Sequence, residues 1–176
     1  MRLRLGQRLK KVKMMFYTPF YEILPELAME ETRSITVVDR RLNIPPGEYA
    51  ILELYCSKKG CDCRRVFLNV ISLNAQDTVA VIAYGWESKE FYAKWLYKCD
   101  RIQDLSKREL QEIDELKGPS LNLMSPQSEY AKNLLDLIAR TVLKDKAYID
   151  RLKKHYALFK ANLDKRPGHK RDAKRR

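Results

Sequence analysis

The sequence lacks the short motifs that mark the commonest nucleotide-binding and hydrolytic sites. Its 176 residues include only six glycines and two histidines. No G-x-x-x-x-G-K-[ST], G-x-G-x-x-G, G-x-S-x-G or H-E-x-x-H pattern occurs. Enzymatic activity therefore has no positive support, and we expect a binding protein rather than an enzyme. A hydrolase or transferase with an unrecognised site stays an open alternative.

Long apolar runs are also missing. The longest, residues 79–86, is far shorter than the roughly 20 residues that a membrane-spanning helix needs. The basic N-terminus is not followed by an apolar segment of about 7–15 residues, as a secretory signal would be. We therefore expect a cytoplasmic protein. Residues 1–13 have two other interpretations, a mitochondrial presequence or an extension upstream of a start at Met14 or Met15.

Acidic residues are nearly absent from both ends of the chain. Residues 1–13 hold six basic residues and no acid, and residues 165–176 hold seven basic residues and one acid. The remaining 22 basic and 22 acidic residues all lie in 14–164, so the net charge of +12 resides in the ends. We predict a single domain over 14–164, flanked by two basic arms, 1–13 and 165–176, that are disordered.

Polycationic arms bind phosphate backbones with little sequence preference. We therefore predict that the two arms contact nucleic acid or another acidic macromolecule. The residues expected to make these contacts are the arginines and lysines of the arms: Arg2, Arg4, Arg8, Lys10, Lys11, Lys13, Lys165, Arg166, Lys170, Arg171, Lys174, Arg175 and Arg176.

Three segments carry the β-branched and aromatic residues typical of strands, 48–56, 63–73 and 78–86. The short polar connections between them predict an antiparallel meander. A fourth strand is a candidate over residues 35–38. The lead-in, 14–31, mixes aromatic residues with prolines and is predicted as a short or broken helix.

The C-terminal half is predicted to be helical. Ser88 and Asp145 are positioned as N-caps, and Ser106 begins an S-x-x-E capping box. Gly118 followed by proline ends one helix, and Ser125 followed by proline starts another. The predicted fold class is thus α+β, a small antiparallel sheet packed by a helical C-terminal half.

One cluster of residues carries chemistry, Cys56-x4-Cys61-x-Cys63, and we call these three side chains the hairpin thiols. Side chains alternate along a strand, so Cys61 and Cys63 are expected on one face. If residues 57–60 form a four-residue loop, Cys56 lies opposite Cys61 on that face, about 4.5–5.5 Å away. Three thiols would then converge within reach of one ion.

Four interpretations of the hairpin thiols stay open. The first is a structural zinc site, in which Cys99 supplies the fourth ligand and His155 is a second choice. The others are unligated buried thiols, a redox pair whose thiol pKa the basic residues nearby would lower, and a catalytic nucleophile with no identified base. The function predicted from the sequence is a non-catalytic binding module stapled at this hairpin. The alternative is a thiol-redox or metal-handling protein acting through it.

Four short segments carry a family resemblance: Gly47-Glu48-Tyr49, the cysteine hairpin through Arg65, Tyr84-Gly85-Trp86-Glu87, and Gly118-Pro119-Ser120-Leu121. With them the chain resembles a group of uncharacterised bacterial proteins over residues 16–163. It is similar to domains that sometimes precede a SEC-C motif, a short cysteine-rich tail that binds zinc. Residues 164–176 contain no cysteine, so a SEC-C zinc site is absent. The resemblance implies that residues 16–163 form the same domain, and it implies no particular activity.

Overall fold

A computed structural model describes residues 16–163. The predicted arms, 1–13 and 165–176, and the thirteen basic residues assigned to nucleic acid all lie outside the described residues. The described chain has an α+β fold, as predicted. Its strands are β1 (Tyr17–Pro19), β2 (Arg33–Val37), β3 (Gly47–Cys56), β4 (Arg65–Ser72), β5 (Asp77–Gly85) and β6 (Ser120–Leu121). Its α-helices are α1 (Pro25–Glu31), α2 (Lys89–Tyr97), α3 (Lys107–Lys117), α4 (Ala131–Thr141) and α5 (Lys146–Leu163).

The predicted meander forms the centre of one antiparallel sheet. β3 pairs with β4 from Tyr49↔Ser72 to Tyr55↔Val66, and β4 pairs with β5 along its whole length. The eight residues of β3 from Tyr49 to Cys56 are all buried. Both faces of the strand are therefore covered, in keeping with its apolar residues at both odd and even positions.

The sheet has six strands, more than the three or four that we predicted. β1 and β2 both pair with β3 on the same edge, β1 along its C-terminal half and β2 along its N-terminal half. β6 pairs with β5 at Ile82↔Leu121. β1 and β6 contain three and two residues, too few for an alternating pattern, so the backbone of a neighbouring strand decides their conformation.

Side-chain caps begin three of the described α-helices, α2, α3 and α5. The Ser88 hydroxyl accepts a hydrogen bond from the Phe91 N–H, and Ser106 begins the predicted capping box with Glu109. The Asp145 carboxylate accepts from the Ala147 N–H and so caps α5. Gly118, at φ 65°, ends α3.

The predicted start of α4 after Ser125 was wrong, because the helix begins at Ala131. The segment before it lies along the edge of β5 instead. The Asn122 N–H donates to the Val81 carbonyl at 2.8 Å, and the Gln127 side chain accepts from the Val81 N–H at 3.1 Å. The Ser128 N–H also donates to the Val79 carbonyl at 2.9 Å, so the chain before α4 is bonded to β5 and is not part of the helix.

The main hydrophobic core lies between one face of the sheet and helices α4 and α5. Tyr49, Ile51 and Leu68 from the sheet meet Leu134 from α4 and Phe159 from α5, all nearly inaccessible to solvent. A smaller cluster joins α2 to α3 around Tyr92 and Ile113. Residues 16–163 include no helix long and apolar enough to cross a membrane. Packing against the main core holds α5 along the sheet. Its C-terminal turns lie at the end of β3, where Lys160 donates to the Cys56 carbonyl at 2.7 Å.

Candidate metal centre

The connection between β3 and β4 is longer than we predicted. β4 begins at Arg65, so residues 57–64, which we call the hairpin loop, lie outside both strands. The chain reverses through a turn in which the Cys61 N–H donates to the Lys58 carbonyl at 3.2 Å. Gly60 and Arg64 have φ values of 69° and 47°. These left-handed positions bend the loop twice, which a four-residue connection would not allow.

The three hairpin thiols nevertheless converge, as predicted. The Sγ atoms of Cys56, Cys61 and Cys63 lie within 4.8 Å of one another. Strand alternation is not the cause, because only Cys56 belongs to a strand. The cause is the bent loop, which returns Cys61 and Cys63 to the last residue of β3. Cys56 and Cys63 are buried, and Cys61 is partly exposed.

The donor set fits a single thiophilic metal ion. A Zn–S bond is about 2.3 Å, so two sulfurs in a tetrahedral site are about 3.8 Å apart. The observed separations, within 4.8 Å, allow all three sulfurs to reach one ion after small side-chain adjustments. Thiolate ligands favour Zn²⁺ and Cu⁺ over hard cations such as Mg²⁺ and Ca²⁺.

The electrostatics of the cluster distinguish Cys56 from its neighbours. A hydrogen bond from the Cys63 thiol, followed by backbone and Cys61 hydrogen bonds and the nearby Lys160 ammonium, lowers the pKa of Cys56 to about 5 even though burial opposes it. The pKa of Cys63 is raised, mainly by the same hydrogen bond. Burial raises the pKa of Cys61. Near neutral pH the unligated cluster therefore holds one thiolate and two thiols.

Side chains from α5, from α2 and from the segment before α2 hold the hairpin loop in place. On α5, Lys160 donates to the Cys56 carbonyl at 2.7 Å. On α2, the Tyr92 hydroxyl donates to the Arg64 carbonyl at 2.9 Å. The Arg64 guanidinium pairs with Asp62 at 2.9 Å and with Glu87 at 3.2 Å. The loop that carries two of the thiols is thus anchored at both ends.

Cys99 and His155, predicted as further ligands, are not brought to the hairpin thiols. Tyr92 of α2 contacts the hairpin loop, and Cys99 follows seven residues later, just beyond the end of the helix, or roughly 10 Å further along its axis. Its thiol donates to the Arg101 carbonyl at 3.1 Å. His155 is 1% exposed, and both of its ring nitrogens face carboxylates. Among residues 16–163, the converging group therefore consists of three cysteines.

A buried polar network escaped the sequence interpretation. Glu53 lies in β3 between two leucines and is only 7% exposed. Its Oε2 accepts from the Tyr55 hydroxyl at 2.8 Å and lies 2.7 Å from Nδ1 of His155. Nε2 of His155 lies 3.0 Å from Oε2 of Glu31. The sequence signal for this network was an isolated acid, Glu53, inside an apolar strand. A buried carboxylate needs a hydrogen-bonding partner, so it predicts a polar contact in the core.

Comparisons with protein-family models, with curated proteins and with solved structures find no match to this chain. The resemblance to domains that precede a SEC-C motif therefore stays a prediction. The functional argument depends on the geometry of the chain itself, above all on the three converging thiols.

Proposed function

We propose that this chain is a non-catalytic binding module in which the hairpin thiols hold one zinc ion and the basic arms bind nucleic acid. The observation that supports the metal site is the convergence of the Sγ atoms of Cys56, Cys61 and Cys63 within 4.8 Å. A zinc ion there would join the last residue of β3 to the hairpin loop. It would act as a structural staple for a connection that has no regular secondary structure.

The chemistry of the three donors supports zinc in particular. Cys56 is already poised as a thiolate, since its pKa is lowered to about 5, and thiolates are the form that binds metal. We place the protein in the cytoplasm, where thiols stay reduced and free for metal. A structural zinc site has four ligands, so a fourth donor would have to complete the three thiolates.

Metal analysis with parallel thiol counting tests the zinc site. Protein purified without a metal-affinity tag should contain about one zinc per chain. Cys56→Ser, Cys61→Ser and Cys63→Ser should each lower that content, while Cys99→Ser, the matched control, should retain it. Thiols that react freely in metal-free native protein, with no zinc uptake on titration, would contradict the proposal.

The charge distribution supports the nucleic-acid part of the proposal. Segments 1–13 and 165–176 each carry a net charge of +6, whereas 14–164 is neutral. Deletion of both segments should abolish association with an oligonucleotide, and the affinity of the full chain should fall steeply with salt. Retained binding by residues 14–164 alone would show that the arms are not the binding elements.

The lowered pKa of Cys56 also favours a second candidate, thiol–disulfide exchange at the same hairpin. The Cys56 thiolate would attack one sulfur of a small disulfide and release the other sulfur as a thiolate. Cys61 or Cys63 would then lose its proton, attack the mixed disulfide and release the second half as a thiolate. The hairpin would end as an intramolecular disulfide and the substrate as two thiols.

Reaction of the metal-free protein with oxidised glutathione separates the two candidates. A redox protein should form a hairpin disulfide quickly, and peptide mapping would locate it at Cys56. Zinc should block that reaction if the structural site is filled. Slow reaction of the hairpin thiols relative to Cys99 would contradict the redox candidate.

A further inference from the structure

The two ends of the described chain meet at the hairpin loop. At the start, the Phe16 carbonyl accepts hydrogen bonds from the Ser57 N–H at 2.7 Å and from the Ser57 hydroxyl at 3.2 Å. At the end, Leu163 lines a cleft together with Lys58, Lys59 and Cys61. Residue 15 is bonded to Phe16 and residue 164 to Leu163, so both basic segments are attached beside the same loop.

The loop adds positive charge of its own between these two attachment points. Lys58 and Lys59 are exposed, and no carboxylate of residues 16–163 lies within ion-pair distance of either. The one acid in the loop, Asp62, is paired with Arg64 at 2.9 Å. Net charges of +6 on residues 1–15 and +5 on residues 164–176 therefore extend from a loop that is itself basic.

A cleft separates the loop from the last turns of α5. Its volume is about 450 Å³, and its walls include Lys58, Lys59, Tyr156 and Lys160. The Lys160 ammonium bridges the walls by donating to the Cys56 carbonyl at 2.7 Å. Both attachment points lie beside this cleft, because Leu163 lines it and Phe16 is bonded to Ser57, the residue before Lys58.

We infer that the hairpin loop, through Lys58 and Lys59, is the contact surface of the folded domain for the same nucleic-acid backbone that the arms bind. This inference rests on the proposed function of the arms and goes beyond it. The site is the loop, and contacts made by the arms strengthen binding there because each of them raises the local concentration of phosphate at the loop. The loop alone does not suffice, since the domain is neutral overall.

The test is the salt dependence of binding to a labelled DNA duplex of mixed sequence, with the full chain throughout. Each phosphate contact contributes about 0.9 to the slope of log K against log salt. Lys58→Gln with Lys59→Gln should lower the magnitude of that slope by about 1.8. If the two contacts contribute nothing at 1 M salt, a slope change of about 1.8 corresponds to a roughly 30-fold loss of affinity at about 0.15 M salt.

A matched control removes the same charge at distant positions. Lys132 and Lys144 are exposed. Lys132 adjoins Asn133, whose side chain bonds to Asn43 near the start of β3, roughly 30 Å along that strand from the hairpin. Lys144 lies before α5, whereas the loop contacts the last turns of that helix. The Lys132→Gln, Lys144→Gln variant should therefore keep the wild-type slope.

Three outcomes decide the inference, with circular dichroism used to verify that each variant is folded. A slope change confined to the loop variant supports it. Equal effects of the loop and control variants, with salt-dependent binding by the wild type, would overturn it and leave the arms as the binding elements. Absence of binding by the wild type would overturn both this inference and the nucleic-acid part of the proposed function.

Discussion

Nδ1 of His155 lies 2.7 Å from the carboxylate of Glu53, and this contact joins α5 to the middle of β3 inside the core. The other ring nitrogen faces Glu31 at 3.0 Å. Both ring nitrogens therefore lie within hydrogen-bond distance of a carboxylate oxygen. The Phe20 ring stacks on the imidazole with 4.4 Å between ring centroids.

Removal of one member of this pair should strongly destabilise the fold. His155→Ala leaves the buried Glu53 carboxyl group without this partner and empties the space of a side chain that is 1% exposed, so the cost should be about 2–5 kcal/mol. Urea unfolding of the metal-free protein measures the loss. Lys153→Ala, an exposed position on the same helix, is the control and should stay within about 0.5 kcal/mol of wild type. An equally small effect of His155→Ala would show that water replaces the imidazole.

Zinc binding near pH 7 should release about two protons per ion. The Cys56 thiol is already ionised, because its pKa is about 5, whereas Cys61 and Cys63 have raised pKa values and must each lose a proton. Calorimetric titrations in buffers of different ionisation enthalpy give the number. Release of about three protons would show that Cys56 is an ordinary thiol in the metal-free protein.

The Cys63→Ala variant should raise the pKa of Cys56 in the metal-free protein. The hydrogen bond from Cys63 is the largest cause of the lowered Cys56 value, and its loss removes the main stabilisation of the thiolate. Thiolate absorption in the ultraviolet, followed as the pH is raised through the Cys56 pKa of about 5, should show the midpoint move to higher pH. Cys99→Ser is the control and should leave it in place. An unchanged midpoint in Cys63→Ala would assign the effect to Lys160 and the backbone instead.

Gly85→Ala should destabilise the protein by about 1–3 kcal/mol, the usual cost of overpacking. An added Cβ would lie 2.2 Å from the Tyr92 hydroxyl, and Tyr92 is fully buried, so the hydroxyl can be displaced only by repacking the core around it. The same change breaks the hydrogen bond from Tyr92 to the Arg64 carbonyl. Tyr92→Phe loses that bond and the longer one from the Glu87 N–H at 3.4 Å but adds no atom, so it should cost less in urea unfolding. Equal losses in the two variants would mean that Gly85 is not sterically required.

The long central strands and the capped helices could be predicted because their signals are local. β3 carries its apolar pattern over ten residues, and Ser106 with Glu109 defines a helix start within four positions. β1 and β6 carry too few residues for any pattern. The start of α4 was misplaced because Ser125 and its proline satisfy a local rule, while Gln127 bonds to β5, far away in sequence.

The candidate site was predictable in its members and not in its geometry. The spacing of Cys56, Cys61 and Cys63 identified the ligands, but the expected four-residue loop was wrong because the bends at Gly60 and Arg64 are tertiary features. Cys99 could not be excluded from sequence, since its distance depends on which end of α2 contacts the hairpin loop. The hydrogen bond from the Tyr92 hydroxyl to the Arg64 carbonyl shows that the N-terminal half of α2 makes this contact.

Short strands flank the sheet on both sides. β3, β4 and β5 have neighbours along both edges, and in residues 16–163 the outermost strands are β1, β2 and β6, with three, five and two residues. A long unpaired strand would be a template on which a second molecule could add its own strand. The arrangement therefore limits edge-to-edge polymerisation. Variants that detach β1 and β2 from β3 should form fibrils on storage, rather than merely unfold.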